Sequence, residues 1–540
     1  MDMLLKNRSL TREDISDAPE VLLDPFKMQD MDRAVSRILD ARKKGERVVV
    51  FGDYDVDGVT STALLIDFLE RVGIDAVALL PDRFRDGYGM KPPGVERALT
   101  QGAQLILTAD NGISSFEAID IACEAGVDVV VVDHHHPQER LPAAVAIVNP
   151  NRPDCGYAFK GLAAVGVAFK VVQAASTDLM SREERVPYLN SLLDLVALGT
   201  VADVAPMVSE NRLLTRRGMR VMDKTARPGL RALKEVAGSA DKPVNTTAIA
   251  FFLGPRINSA GRLGSAELAL DLLRSSDEAK AQGLAEALDA LNTQRMELQN
   301  AGIDEARGQV ERGELFRDRI LVVPGEDWHL GIIGLIAGRL SEAYARPSAI
   351  CTGVRKDGTF TGSARSSGGY NISEAIFKCA DLLSEFGGHA AAAGFTLPAK
   401  NFETFRDRLI QDANQSLTDE ALTLRLEIDA ELTPSDISLR SVLLIEALEP
   451  FGPLNESPCF MVKGCDIRVV DTVGAGGTHL KMKLEMDKQV IGAIWWRQGD
   501  LAKLLSAGKR VDVAFSLVKN AWNGYEKVEL EVKDMRPAEG

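Results

Sequence analysis

The chain has 540 residues, 63 Lys+Arg against 78 Asp+Glu for a formal charge of −15, with 45% hydrophobic and 26% charged residues. That length suits three or four domains at about 150 residues each, and the balance excludes long disorder and collagen-like or mucin-like composition. No apolar run reaches the roughly 18 residues of a membrane span, the start MDMLLKNRSL lacks the apolar core of a secretory signal, and six scattered cysteines form no CxxC pair; a cytoplasmic protein without membrane or zinc-ribbon character is expected.

The acidity is uneven. Residues 461–540 carry 13 Lys+Arg against 11 Asp+Glu, net +2, which leaves −17 upstream. An evenly spread negative charge would count against a nucleic-acid partner; a slightly basic tail keeps that partner open.

In chain order, RVVVF (47–51), DAVALL (75–80), QLILT (104–108) and VDVVVVD (127–133) alternate with helical segments, the pattern of an α/β fold with a doubly wound, mostly parallel sheet. Chemistry is expected at the strands' carboxyl ends. Residues 162–273 read mainly as helix. Ser275 with Glu278 reads as a capping box ahead of one long connecting helix over 276–312. A second α/β unit runs from RILVVPG (319–325) to FGGHAAAAGFTL, followed by a helical piece near 401–417. Then RLEIDAEL, CDIRVVDTV, THLKMKLEM, QVIGAIWW, RVDVAFSLV and YEKVELEVKDM alternate polar and apolar residues between Gly, Asp and Asn, which predicts a small C-terminal β-barrel.

Asp53, Asp55 and Asp57 stand at alternate positions just past the first strand, and continued strand geometry would point all three to one side. Asp110 follows the third strand, Asp133 to His136 the fourth, and Asp203 sits in GTVADVAP. An isolated DxD is usually a turn or cap. Three consecutive histidines, half of the six in the chain, change that balance: oxygen donors with imidazole nitrogen suit Mn²⁺ or Mg²⁺, and a pair of such ions about 3.5 to 4 Å apart serves in-line attack at phosphorus. The expected chemistry is phosphodiester or phosphoanhydride hydrolysis.

Taken in order, DYDVDG, TADNGIS, DHHHP, GTVADV and PRINSAGRLG resemble the five motifs of the DHH phosphoesterase superfamily, and within it the RecJ-type exonuclease branch. The resemblance covers nearly the whole chain. It implies an N-terminal extension (1–45), a DHH catalytic domain (46–274), the connecting helix (275–315), a DHHA1 substrate-binding domain (316–418) and an OB-fold single-strand-binding domain (419–540). It further implies that Asp55, Asp57, Asp110, His134 and Asp203 ligate two ions with Asp110 as bridge, that Asp53 and Asp133 order those ligands by hydrogen bonds, and that His135 either supports the ligands from behind or handles a proton. His136 has no role implied. Some relatives carry a histidine two residues before the first aspartate, where this chain has Phe51, so one ion would have fewer protein ligands.

The arginines of Arg256-Ile257-Asn258-Ser259-Ala260-Gly261-Arg262 flank what reads as a small-residue loop opening a helix, where amides and guanidinium groups would receive phosphate. Without the resemblance, either arginine could simply pair with an acid. Three small-residue turns carry His329, then Ser363, Arg365 and Ser366, then His389; they resemble DHHA1 motifs that grip a phosphate and line the cleft, with Ala364 where the family commonly has glycine. Arg83 and Tyr88 resemble a loop near the active site. In the tail, Trp495, Trp496, Arg497 and Trp522 suit base stacking and phosphate attraction, with at least one of the adjacent tryptophans expected in the barrel core.

The function implied is a single-stranded-DNA-specific 5′-to-3′ exonuclease that releases 5′-mononucleotides in DNA repair and recombination, with single-strand-binding protein and a helicase as partners by resemblance. Two other readings compete. One is a DHH phosphodiesterase of oligonucleotides or cyclic dinucleotides, against which the 120-residue tail counts. The other is a catalytically silent scaffold that binds single strands, against which the retained carboxylates count.

Overall fold

The fully buried Val, Ile and Leu runs of the first 150 residues cannot leave a backbone polar group without a ladder partner, and they pair side by side. Their sheet contains β1 (Val48–Phe51), β2 (Ala76–Leu79), β3 (Leu105–Thr108), β4 (Asp128–Val132) and β5 (Ala146–Val148). All neighbours are parallel in the order β2-β1-β3-β4-β5. The order reverses between β1 and β3, so a crevice opens at their carboxyl ends. β5, three residues long, is too short to stand out in the sequence. The structure is a computed structural model that describes residues 2–8, 22–83, 85–87, 89–325, 327–353, 358–522 and 525–538.

Contacts divide the chain into two units. One comprises Asp24–Asp203 with Arg217–Leu424; the other Met1–Leu23, Val204–Arg216 and Arg425–Gly540. The described residues of the expected 1–45 extension are divided between these two units. Helix Met31–Lys44 buries Val35 and Ile38 and packs against β5 and helix Ala164–Leu179, whereas Leu4 and Leu5 lie in the core of the barrel.

In the first unit, helix Glu278–Arg312 spans 35 residues, about 52 Å at 1.5 Å per residue. Its N-cap is Asp277, which accepts from the Lys280 amide at 2.6 Å. The expected Ser275–Glu278 box does not form, because the Ser275 hydroxyl donates to the Asp277 carbonyl. The far end is part of the next core: Ala306 and Val310 bury against Leu321, Ile332, Ile336 and Ile350. That core supports β6 (Leu321–Pro324), β7 (Ser348–Cys351), β8 (Thr359–Arg365), β9 (Glu385–His389) and β10 (Ala392–Pro398) in the order β6-β7-β8-β10-β9. Only β6 and β7 are parallel.

The second unit holds β11 (Ala430–Glu431), β12 (Phe460–Val473), β13 (His479–Met486), β14 (Gln489–Trp495), β15 (Arg510–Trp522) and β16 (Tyr525–Pro537). The order β11-β12-β13-β14-β16-β15 closes through β12–β15 pairing, a five-stranded OB-like barrel with β11 added at the start of β12. Of RLEIDAEL only Ala430 and Glu431 form a strand; Leu424 and Leu426 are exposed, so the alternation there has no apolar face to bury. The Arg8 guanidinium grips Asp429 with both oxygens, at 2.5 and 2.9 Å. No described helix is long and apolar enough to cross a membrane.

Candidate metal centre and arginine pocket

β1 ends at Phe51, and the three carboxylates of the first motif do not continue it. Asp55 is the N-cap of helix Val56–Arg71, accepting from the Gly58 amide at 3.0 Å, and Asp57 lies in its first turn. Convergence comes from the turn, not from strand alternation. A Cβ on Gly58 would sit 2.6 Å from the Asp53 Cβ and 2.7 Å from its Cα and N; glycine is what lets the helix start against Asp53.

Asp110 follows β3 with a left-handed φ of 68°, a conformation Asp tolerates better than most residues. Its amide donates to the Val132 carbonyl at 3.1 Å, joining the ends of β3 and β4. Asn111, which the sequence reading left without a role, donates its side-chain amide to the carbonyls of Phe51, Gly52 and Ala109 at 3.0 to 3.2 Å. That staple ties β1 to β3 under the carboxylates.

After β4, Asp133 is saturated by donors. Its Oδ1 accepts from the amides of His134 (2.7 Å) and His135 (3.1 Å) and pairs with His135 Nδ1 at 2.8 Å, while Oδ2 accepts from the Ile113 amide at 3.0 Å. The side-chain amides of Asn149 and Asn151 hold the carbonyls of His135 and His134. The loop thus presents His134 Nε2 at 3.2 Å from Asp110 Oδ1 and Nδ1 at 3.9 Å from Asp203 Oδ2. Asp203 is the C-cap of helix Leu193–Ala202. Asp57 accepts from the amides of Ala164 and Val165 at 2.7 and 2.8 Å.

Among the described residues, potential ligand atoms fall into three groups, each within 4.8 Å: Asp110, His134 and His135; Asp57, His134 and Asp203; Asp53, Asp55 and Asp110. Burial, then mutual repulsion with Asp55, pushes Asp57 up to about 7; burial with Asp57 and Asp55 pushes Asp203 up to about 9. Burial followed by neighbouring carboxylates also raises Asp53 and Asp110 well above the usual range. Asp53, expected to order other ligands, buries an Oδ1 with no hydrogen-bond partner among the described residues and lies in one of the groups that could hold an ion. Burial pulls His134 down to about 4, the neighbouring His135 adding to it, so it is neutral near pH 7. For His135 burial is outweighed by its Asp133 bond and the other carboxylates, and it rises to about 9. Crowded buried carboxylates, one orphaned oxygen and a neutral imidazole fit divalent cations, whose charge would offset the repulsion.

PRINSAGRLG is not a loop. It lies inside helix Gly254–Leu263, with Pro255 in the first turn, so its amides serve the helix and only side chains remain for phosphate. Arg256 pairs with Asp289 at 2.8 Å and donates to the Phe252 carbonyl, which makes it structural. Arg262 is different: it donates to the Gly331 carbonyl at 3.1 Å, and burial together with Arg83, Arg295 and Arg365 pulls it down to about 10. Asn258 lies one turn before it, partly exposed.

GSARS and GGH are strands rather than turns. Ser363 and Arg365 belong to β8, with Arg365 donating to the Ser363 hydroxyl at 3.1 Å; the register pairs Arg365 with Ala392 and Ala392 with His389. Ser366 spends its hydroxyl on the Tyr370 carbonyl. His329 caps helix Leu330–Tyr344 through the Gly331 amide. Burial, then Arg83, lowers both Arg365 and His329; burial, then His135 and His136, lowers His389. Arg83 stacks over the Tyr54 ring at 5.0 Å. Arg83, Arg262, Arg365 and His329 therefore form one electropositive cluster, with Asp53 and Asp55 within electrostatic reach of its arginines. Tyr88 lies outside the described residues.

On the barrel, Trp495 packs against the core while Trp496 is 51% exposed. The Trp496 ring meets His479 edge-on at 4.9 Å, and the Arg497 amide donates to His479 Nδ1 at 3.1 Å. His479 was not singled out from the sequence, where one histidine in a strand carries no signal. The side chain of Trp522 lies outside the described residues.

Three segments match family descriptions: residues 47–200 the DHH family N-terminal domain, 317–415 the DHHA1 domain, and 428–534 the RecJ OB domain. The chain is 36% identical over 535 residues to the single-stranded-DNA-specific exonuclease RecJ of Escherichia coli, covering 94% of this chain and 91% of that protein. The chain belongs to the RecJ family. The Bacillus subtilis RecJ is likewise 36% identical over 516 residues, covering 96% of this chain, which spans 64% of that longer protein. The Thermus thermophilus RecJ crystallised with Mn²⁺ superposes with a TM-score of 0.84 at 31% identity, covering 100% of this chain and 76% of that one; its Mg²⁺ complex covers 100% and 74%, with a TM-score of 0.78 at 30% identity. Both RecJ structures hold a divalent cation, the kind of ion that the buried donors here fit.

Proposed function

We propose that the chain is a metal-dependent, single-strand-specific exodeoxyribonuclease acting 5′ to 3′ and releasing 5′-mononucleotides. The observation that carries this is the convergence of buried carboxylates and His134 at the strand ends of one sheet, next to a pocket of Arg83, Arg262, Arg365 and His329. Family membership supports the substrate: the matched relatives are named single-stranded-DNA-specific exonucleases. The OB-like barrel supports capture of single strands. Roles in repair and recombination, and cooperation with a single-strand-binding protein and a helicase, rest on the family resemblance.

Asp53, Asp55, Asp57, Asp110, His134 and Asp203 would hold the cations, Mn²⁺ or Mg²⁺. Bound there, such ions supply positive charge against the phosphate oxygens and acidify water. The protein's part is placement. Arg262 and Arg365, neither paired with a carboxylate among the described residues and held beside each other at an electrostatic cost, gain from a phosphate that neutralises them, which would seat the strand in line. Asp133 fixes the orientation of His135 and raises its pKa, so that His135 would serve as the acid that protonates the departing 3′-oxygen. The amides under Asp57 and the Asn111 staple hold the carboxylates so that little reorganises during the reaction.

The test is digestion of end-labelled single strands of both polarities, duplex and RNA by the full chain, with Mn²⁺ or with chelator. Mononucleotides released from 5′ ends of single strands only, and only with the cation, are expected. Preference for di- to pentanucleotides over long strands would favour the oligonucleotide phosphodiesterase instead, and binding without cleavage the silent scaffold.

A further inference from the structure

Helix Gly254–Leu263 does not begin at Gly254. It continues a short helical turn, Thr246–Ala248, through a π-helical turn over Ile249–Leu253. A π-turn inserts a residue into the helical ladder and is frequent at functional sites. Here it brings two successive aromatic side chains to the surface: Phe251 is 66% and Phe252 47% exposed. An exposed pair of large aromatics forfeits several kcal/mol of burial in total, so it asks for a partner.

The turn is held in place. The Arg256 guanidinium donates to the Phe252 carbonyl at 2.7 Å while paired with Asp289 on the long helix. The turn also packs against helix Leu193–Ala202, whose C-cap is the metal-centre residue Asp203. A Cβ on Gly254 would lie 3.5 Å from the Ala202 side chain. The aromatic pair therefore flanks the carboxylate cluster on the element that ends in Arg262. Phe251, Pro255, Asn258 and Arg262 recur at one-turn spacing along it, and Phe251 to Arg262 covers about 16 Å of helix. That is room for roughly two to five nucleotides, fewer when the strand is extended and more when its bases stack at 3.4 Å.

Charge selects the occupant. In a chain of net charge −15, residues 242–266 contain Lys242, Arg256 and Arg262 and no Asp or Glu. Arg256 is already paired with Asp289 on the long helix, so Lys242 and Arg262 carry the charge that favours an anion. Two open aromatic faces on the same stretch suit a polyanion that carries flat bases, which is how single strands are held without sequence preference.

Resting on the function proposed above, we propose that Phe251 and Phe252 form a base-stacking platform for the strand on the 3′ side of the scissile phosphate. The platform adds affinity for strands long enough to reach it and leaves the bond-breaking groups untouched.

The full chain with both phenylalanines changed to Ala (F251A/F252A) is compared with the unaltered chain on a 5′-phosphorylated dinucleotide and on strands of about 20 nucleotides. One strand series carries a single abasic position moved stepwise from the 5′ end. On the long strand KM rises about 5- to 100-fold, with kcat and dinucleotide turnover within about twofold. In the unaltered chain an abasic position about three to six nucleotides from the 5′ end raises KM, and the double variant loses that dependence. Tyr at both positions restores affinity and Leu does not. An unchanged KM, an equal loss on dinucleotide and long strand, or full rescue by Leu overturns the platform. Should the unaltered chain prove unable to hydrolyse DNA, the proposed function fails separately; fluorescence anisotropy of a labelled strand with both proteins in chelator still decides the platform.

Discussion

Cation binding should be coupled to proton release, to an extent that ordinary carboxylates could not produce. With Asp203 up at about 9 and Asp57 at about 7, these two groups together keep about 1.5 protons at pH 7, which Mn²⁺ must displace to use them. Linkage then makes the affinity climb about 10- to 100-fold per pH unit between pH 6 and 8. Carboxylates near their unperturbed value of about 4 would already be ionised there and would release almost nothing. The same shifts set the stability of the metal-free chain. A carboxyl raised in the folded state binds its proton more tightly folded than unfolded, so its contribution is largest below about pH 4 and is lost as pH climbs to about 7 for Asp57 and about 9 for Asp203. Isothermal titration calorimetry at pH 6, 7 and 8, in buffers of different ionisation enthalpy, counts the protons directly. Release below about 0.3 proton at pH 7 together with pH-independent affinity would refute the crowded-carboxylate account of the site.

Asp133→Asn puts a donor where every position meets one, at the least against the Ile113 amide. It should cost about 2 to 4 kcal/mol in local stability and lower the His135 pKa, read by hydrogen exchange of the loop and NMR of the ring; unchanged exchange would count against the saturated-acceptor picture. Gly58→Ala should displace Asp53 and cut kcat about 100-fold with the sheet intact by circular dichroism. On the barrel, Trp496→Ala should weaken strand binding about 5- to 100-fold at unchanged unfolding temperature, whereas Trp495→Ala should lower that temperature. Equal effects from the two would contradict their opposite exposure.

The parallel sheet and its candidate donors were legible because the signals are local and rare: apolar β-branched runs, each ending in Asp or followed by one within two residues, and three adjacent histidines. The Gly254–Leu263 helix was not, since Gly254, Pro255, Gly261 and Gly264 read as a loop. In the structure Pro255 occupies the first turn, where its missing amide costs nothing, and a Cβ on Gly261 would approach the Tyr54 carbonyl to 2.5 Å; close packing selects the glycine over helix propensity. GGH misled in the same way, because three small or polar residues make a strand only when β10 is there to pair with them. The distinction between Arg256 and Arg262 also lay out of reach. It depends on Asp289, 33 residues away on another helix, and no spacing rule links the two.

Leu4 and Leu5 fill the core of a barrel whose strands begin at Ala430, and Arg8 closes on Asp429, 421 residues later. At about 5 to 20 residues per second, a ribosome takes roughly 20 to 85 seconds to cover that distance. Throughout that interval the first helix has no native partner, while the catalytic sheet can already have assembled. Synthesis of the last barrel strand, Tyr525–Pro537, not of the first helix, therefore times the closing of the barrel. A C-terminal fragment beginning near residue 425 would lack two leucines from its core, so full-length protein is the sounder material for measuring what the barrel binds.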